Sequence, residues 1–315
     1  MGTRYFALPW LCLVASPVLA CGTCGCLLNT DWASQGFTSR AGYNLDLRSD
    51  YLDQSQLRTG TGRVNPASLD LPSEQEIQRR TLTRLTTLGL DVDPSADWGL
   101  AIQIPLLQRE HVTVAEGDTE PSNSRASGLG DVRVLGHYQG FSTDHSFGVQ
   151  LGFKLGTGAN HDTFRTGPQA GALLDRGLQL GTGGTDLLLG IYRFGQFGSD
   201  WAGFAQALWE EPLGSHEAFR PGASFSLSAG LSFTGSATFT PQLQVNLRAE
   251  AREYGINSDP ENSGSERLYL SPGLSLRAGR RLLVFAFIQV PVYQRVNGWQ
   301  LEPKYIATAG LRVTL

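Results

Sequence analysis

Between Gly42 and Tyr51 the chain reads GYNLDLRSDY, and its residues sort by alternation into two unlike sets. Tyr43, Leu45, Leu47 and Tyr51 fall on one side, Asn44, Asp46, Arg48 and Asp50 on the other. A period of two is the mark of a β-strand with opposed faces. The same pattern returns at 242–252, where Leu243, Val245, Leu247, Ala249 and Ala251 oppose Gln242, Gln244, Asn246, Arg248, Glu250 and Arg252. At 145–155, Phe147, Val149, Leu151, Phe153 and Leu155 oppose Ser146, Gly148, Gln150, Gly152 and Lys154.

Alternation of this kind predicts about twelve strands, at 40–51, 78–92, 97–109, 129–140, 145–156, 185–196, 201–210, 223–234, 242–254, 266–278, 281–293 and 302–315. They are longer than the ~5–6 residues usual in soluble sheets and near the length that crosses a bilayer. The intervening gaps are long before even-numbered strands and mostly short after them, as at Asp93–Ala96 and Gly279–Arg280. Long loops at one end and tight turns at the other predict a transmembrane antiparallel β-barrel with short periplasmic turns and longer extracellular loops. A soluble exported β-sandwich is the competing reading, but it would have to enclose a dozen long apolar faces. In a bilayer, acyl chains cover those faces and closure pairs the backbone amides. GYNLDLRSDY is then inverted, with Leu45 and Leu47 toward lipid and Asp46 and Arg48 toward a lumen. Trp98 and Trp201 beside short turns, and Trp209 and Trp299 near long loops, fit interfacial aromatic belts.

Composition agrees. There are 38 glycines among 315 residues, suited to tight turns and close strand packing, and the net charge of −4 gives no reason to expect nucleic acid. Residues 1–20, MGTRYFALPWLCLVASPVLA, have the basic start, apolar run and small-residue end of a secretory signal. No later stretch has the ~18–20 apolar residues of a spanning helix. The expected organisation is signal peptide 1–20, periplasmic segment 21–39 and outer-membrane barrel 40–315. Outer-membrane lipid and the barrel-assembly machinery are the expected partners, the latter through the alternating final strand YIATAGLRVTL, which ends on Leu315.

Residues 127–141, SGLGDVRVLGHYQGF, and 145–158, HSFGVQLGFKLGTG, resemble a family of outer-membrane barrels named for a phenol-degradation (MetA) pathway. Gly128, Leu129, Gly130, Asp131 and Val132 match the motif that opens a strand in that family, while Gly156-Thr157-Gly158 stands where its P-T-G is usual. The resemblance implies a barrel that passes or binds small organic compounds, and it carries no catalytic residues.

Three thiols, Cys21, Cys24 and Cys26, open the expected mature chain. They fit a lipid-modified N-terminus at Cys21, a soft metal ion, a disulfide or thiol exchange with a periplasmic redox partner, or a tail without chemistry. Neither Cys pair is followed by the His that covalent haem requires. The five histidines show no metal-helix spacing, and His137 falls on the lumen face with Arg133, Leu135 and Gln139. GTGGT at 181–185 lacks the Lys of a phosphate loop, and the acidic stretch 255–265 reads as a solvated loop or a surface calcium site. No strand end offers a Ser–His pair for a hydrolase, and the expectation is a non-enzyme. The function read from the sequence is a passive route or binding cavity for small solutes. Its candidate selectors are Asn44, Asp46, Arg48, Asp50, Arg133, Lys154, Asn246, Arg248, Glu250 and Arg252. The alternative is a barrel anchor whose cysteines hold a soft metal or a redox partner.

Overall fold

The computed structural model describes residues 28, 31, 33, 35 and 41–315. The expected signal segment and Cys21, Cys24 and Cys26 lie outside the described residues. The strands are β1 (Gly42–Gly60), β2 (Gly62–Arg63), β3 (Ile77–Asp93), β4 (Trp98–Val114), β5 (Ser122–Leu129), β6 (Val132–Tyr138) and β7 (Phe147–Leu155). They continue as β8 (Phe164–Thr166), β9 (Asp186–Phe197), β10 (Trp201–Pro212), β11 (Ser224–Phe233), β12 (Phe239–Glu250), β13 (Ser265–Ala278) and β14 (Leu282–Thr314). Eleven of them close an antiparallel barrel, and β2, β5 and β8 stand outside the ring.

The ring closes where Asn44 pairs with Thr314 and Leu47 with Leu311, while the other edge of β1 pairs with β3. β14 is itself a bent hairpin. Its first arm runs against β13, from Leu282 opposite Ala278 to Val296 opposite Ser265, and its second runs against β1. The Thr314 N–H bonds to Arg281 O at 2.9 Å, so the two ends of β14 meet, and Gly298 turns the chain at φ +52°. With these arms counted separately the wall has the twelve staves expected from the alternation. The N–H of Leu315 bonds to Tyr43 O at 2.9 Å, which puts the start and finish of the barrel at the short-turn end.

The faces are inverted as the sequence predicts. Leu45, Leu47, Val149, Leu151, Ile191, Leu243 and Val245 are exposed on the outer wall. Gln150, Gln206, Gln244, Asn246, Ser271 and Gln289 are buried on the inner one. At the short-turn end Trp98 packs on Tyr138 with centroids 4.5 Å apart, and Trp201 meets Phe233 at 5.3 Å. These rings form the outer aromatic belt on that side.

The strands next to the closure are longer than their alternation suggests. β1 has 19 residues and β3 and β4 have 17 each, several more than a bilayer needs. The extensions escape a period-two reading because bulges interrupt the register between Leu52 and Gln54, Gln54 and Gln56, and Arg58 and Gly60. Each bulge inserts a residue and moves the following side chains to the other face. Leu57, beyond two of these shifts, is buried with Ile77, Val114 and Leu301, and Val64 and Leu69 pack against the cluster. Trp299 packs against this cluster rather than joining an outer belt.

Candidate solute cavity in the barrel lumen

Two segments narrow the lumen from opposite ends. From the short-turn end, Leu28 packs against Phe285 and Phe287 inside the wall. Those rings lie over Gly310 and Gly273, where a Cβ would stand 2.5 and 2.1 Å from the ring carbons. Glycine at both positions is what gives the aromatics room. Asp31 then accepts hydrogen bonds from Gln150 and Gln206, the latter at 2.8 Å, and from the Ala33 N–H at 3.1 Å.

From the other end, the connection between β7 and β9 folds into the bore. Its anchor is Asp131, which accepts from the Gly158 N–H at 3.0 Å, the Thr182 N–H at 2.9 Å and the Thr182 hydroxyl at 2.8 Å. The Thr157 hydroxyl donates to Gly130 O at 2.9 Å, and Leu180 is buried with Leu107 and Ala126. The GLGDV stretch, the Gly-rich 156–158 turn and the 181–185 run thus meet at one place. Their chemistry is that of a tether which holds an inward loop.

Between the two segments lies a cavity of ≈ 260 Å³, with a smaller void of ≈ 40 Å³ beside Asp46 and Asp91. Four of the expected lumen residues line the larger cavity: Arg48, Arg133, Lys154 and Arg248. Asn44, Asp46 and Asp50 belong to the inner wall. There Thr314 donates to Asn44 at 2.9 Å, Arg312 to Asp46 at 2.6 Å, and Thr308 to Asp50 at 2.6 Å. Asn246 bonds Ser228 and Ser271, and Glu250 sits between Arg248 and Arg267. Arg252 does not share their site. It lies past the end of β12 and donates to Pro260 O at 2.7 Å, in the loop that follows the strand.

Four cations of the wall share an arrangement around the cavity, while Arg176 of the inward loop, also in the lining, meets the more exposed Glu217 at 2.7 Å. Arg48 meets Asp50 at 2.8 Å with side-chain exposures of 16% and 0%, and Arg133 meets Glu210 at 2.7 Å with 30% and 7%. Lys154 bridges Asp186 and Glu210, and Arg248 meets Glu250 at 2.6 Å, again with the carboxylates the more buried partners. Farther along the wall, Arg267 lies between Glu250 and Glu302.

A second finding departs from the wholly polar lumen that the alternation suggests. Leu85, Leu107, Leu135, Leu188 and Leu208 also line the cavity, with Leu180 from the inward loop. The sequence reading puts Leu135 on the lumen face but misses the other leucines, together with Glu210, Asp186, Arg267, Glu302 and Arg312. Isolated leucines on polar faces give no pattern, and charge partners on distant strands are joined only by the register. His137 does face inward, 3.5 Å from Asp93.

At the loop end the mouth is acidic. Asp175 remains open to water on its surface, yet protein crowds around it. Burial, followed by the charges of Glu76, Asp259 and Glu253, pushes its carboxyl up to about 7. Burial also raises Glu76, but the hydrogen bond and charge of His111 outweigh that and hold it below its ordinary value. The 255–265 loop closes on itself, with Asp259 accepting from the Asn262 N–H at 3.1 Å and side chain at 2.9 Å. Among the described residues, no group of three or more His, Cys, Asp or Glu is arranged to hold a metal ion.

Such a fold, with lipid-type side chains outside and a partly occluded polar bore, defines an outer-membrane β-barrel. No family model and no curated sequence matches the chain, so the phenol-degradation family suggested by residues 127–158 gains no support from sequence. Solved structures share the fold. The COG4313 outer membrane channel from Pseudomonas putida F1 superposes with a TM-score of 0.64 at 10% identity, over 87% of this chain and 96% of that one. The β domain of the Bordetella autotransporter BrkA gives 0.51 at 13% identity, over 87% and 100%. The translocator domain of the autotransporter NalP from Neisseria meningitidis gives 0.51 at 9%, over 87% and 89%.

Proposed function

We propose that this chain is a passive outer-membrane channel with a binding cavity for small organic solutes, and not an enzyme. The observation that carries this reading is the cavity itself. It lies on the barrel axis between two inward segments and is lined by both cations and leucines. The channel from Pseudomonas putida, similar over most of both chains, supports the same class. Arg48, Arg133, Lys154 and Arg248 are the selectors nearest the solute. Asn44, Asp46, Asp50, Asn246 and Glu250 hold the wall behind them.

In planar bilayers the purified protein is expected to carry a KCl current of small conductance. Arg48→Glu or Arg248→Glu should shift its reversal potential in a salt gradient toward cation preference. Absence of any current in the wild type and in a variant lacking residues 21–40 would exclude the channel role. Autotransporter domains share the fold, but a ≈ 260 Å³ chamber favours a small solute over an extended chain. The alternative role of Cys21, Cys24 and Cys26 as a soft-metal or thiol-partner site is tested by changing all three to Ser. Unchanged metal content and partner capture would remove it.

A further inference from the structure

Taking the channel reading as its basis, we infer that the cavity selects a small organic monoanion, one carboxylate on a compact hydrocarbon body, with Arg133 as the carboxylate anchor. Three observations lead there. The first is size. At ≈ 260 Å³ the chamber falls just under the ~300–1,000 Å³ of sites for drug-sized ligands, so one ring or a short alkyl chain fits it better than a larger molecule.

The second is the division of the lining. Leu135, Leu188 and Leu208 lie on β6, β9 and β10, and Leu107 and Leu180 extend this apolar surface. Arg48 and Arg248 come from β1 and β12, elsewhere around the ring, while Arg133 and Lys154 pair across β6 and β7 beside the leucines. A solute with one charged end and one greasy end satisfies both kinds of surface together. A wholly polar ion would leave the leucines against water, and a neutral hydrocarbon would desolvate the cations without replacing their hydration.

The third is the sign of the charge that faces the bore. Three acids line the chamber, and each is engaged by protein: Asp131 by Gly158 and Thr182, Asp31 by Gln150, Gln206 and Ala33, and Glu210 by Arg133 and Lys154. Arg133 is the most exposed of the cations in the lining, and it meets Glu210 through Nη2 alone. A guanidinium has five N–H donors in a fork that suits a carboxylate. Lys154, held between Asp186 and Glu210, remains to neutralise Glu210 when Arg133 turns to a ligand.

The test uses three probes of nearly one shape: 3-phenylpropionate, 3-phenylpropanol and 3-phenylpropylamine. Each is added to the full-length protein in bilayers, where interruption of the KCl current is recorded, and titrated calorimetrically into the protein in detergent. The acid is expected to interrupt the current and bind at least tenfold more tightly than either the alcohol or the amine. Arg133→Gln should remove that preference while the barrel keeps its heat-modifiable gel migration. Lys154→Gln, which leaves the anchor in place, should reduce it less. KCl current with no preference for the acid, or a preference that survives Arg133→Gln, would overturn the inference and leave the channel reading intact. Acid-selective binding with no current would uphold the site and overturn the channel.

Discussion

Gln206 donates from Nε2 to Oδ2 of Asp31 at 2.8 Å, across 175 positions of sequence. This contact and the one from Gln150 hold Asp31 inside the barrel, and with Leu28 it occupies the short-turn end of the lumen. Hydrogen bonds to a charged group contribute ~1.5–3 kcal/mol each, and losing one multiplies an undocked population by roughly ten to a hundredfold. Asp31→Ala is therefore expected to raise the mean conductance and lengthen open events in single-channel records. Conductance equal to that of the wild type would show that the segment does not limit passage.

Asp131 makes the corresponding contact for the inward loop. Asp131→Ala removes three hydrogen bonds that tether Gly158 and Thr182. The barrel should still fold, because its wall does not depend on them. Trypsin, however, should cut at Arg165 or Arg176 much faster than in the parent protein. Equal cleavage rates would deny Asp131 its role as the loop anchor.

Arg267 and Glu302 form a pair whose side chains are 5% and 0% exposed. Removing one partner of such a pair costs ~3–5 kcal/mol, because the other charge stays buried, whereas apolar replacement of both is often nearly neutral. Arg267→Met should lower the urea midpoint of the folded gel band. Adding Glu302→Leu should restore most of it. A double variant no more stable than the single one would assign the loss to packing instead.

The outer wall has its own test. Val245 is exposed midway along β12, and Arg at a bilayer midplane costs ~2–4 kcal/mol on the lipid face of a barrel. Val245→Arg should reduce refolding into lipid vesicles, and Phe239→Arg, on the same face but nearer the turn, should do so less. Equal effects at both depths would mean that hydrocarbon does not cover this face.

The mouth predicts a pH response. Asp175 titrates at about 7, above the ordinary carboxyl value, so its proton is held below that pH and lost above it. For a raised group the stabilising contribution is complete in acid and falls away as pH climbs through 7. Loop protection from proteolysis should then be higher at pH 6 than at pH 8. The negative charge at the mouth, and with it cation preference, should grow over the same interval. Asp175→Asn is expected to flatten both profiles. A pH dependence unchanged in that variant would point to another group.

The sequence by itself determined the wall. Alternation such as Leu45/Asp46/Leu47/Arg48 fixes which side chains share a face, because a strand's period of two depends on neither its neighbours nor its place in the ring. Long and short gaps then order the staves and distinguish the two ends. Closure against lipid follows, since that many apolar faces have no other cover. The 57–60 extension was hidden because bulges reset the parity there. The site was only partly legible: Arg48, Arg133, Lys154 and Arg248 were marked by charge on a polar face, but their chamber was not. Its leucines come singly from separate strands, its ion pairs join residues such as Arg133 and Glu210 that are 77 positions apart, and its two ends are closed by Asp31 and by the loop tied to Asp131. Those contacts depend on strand register and on chain folding back into the bore, which the tertiary structure alone decided.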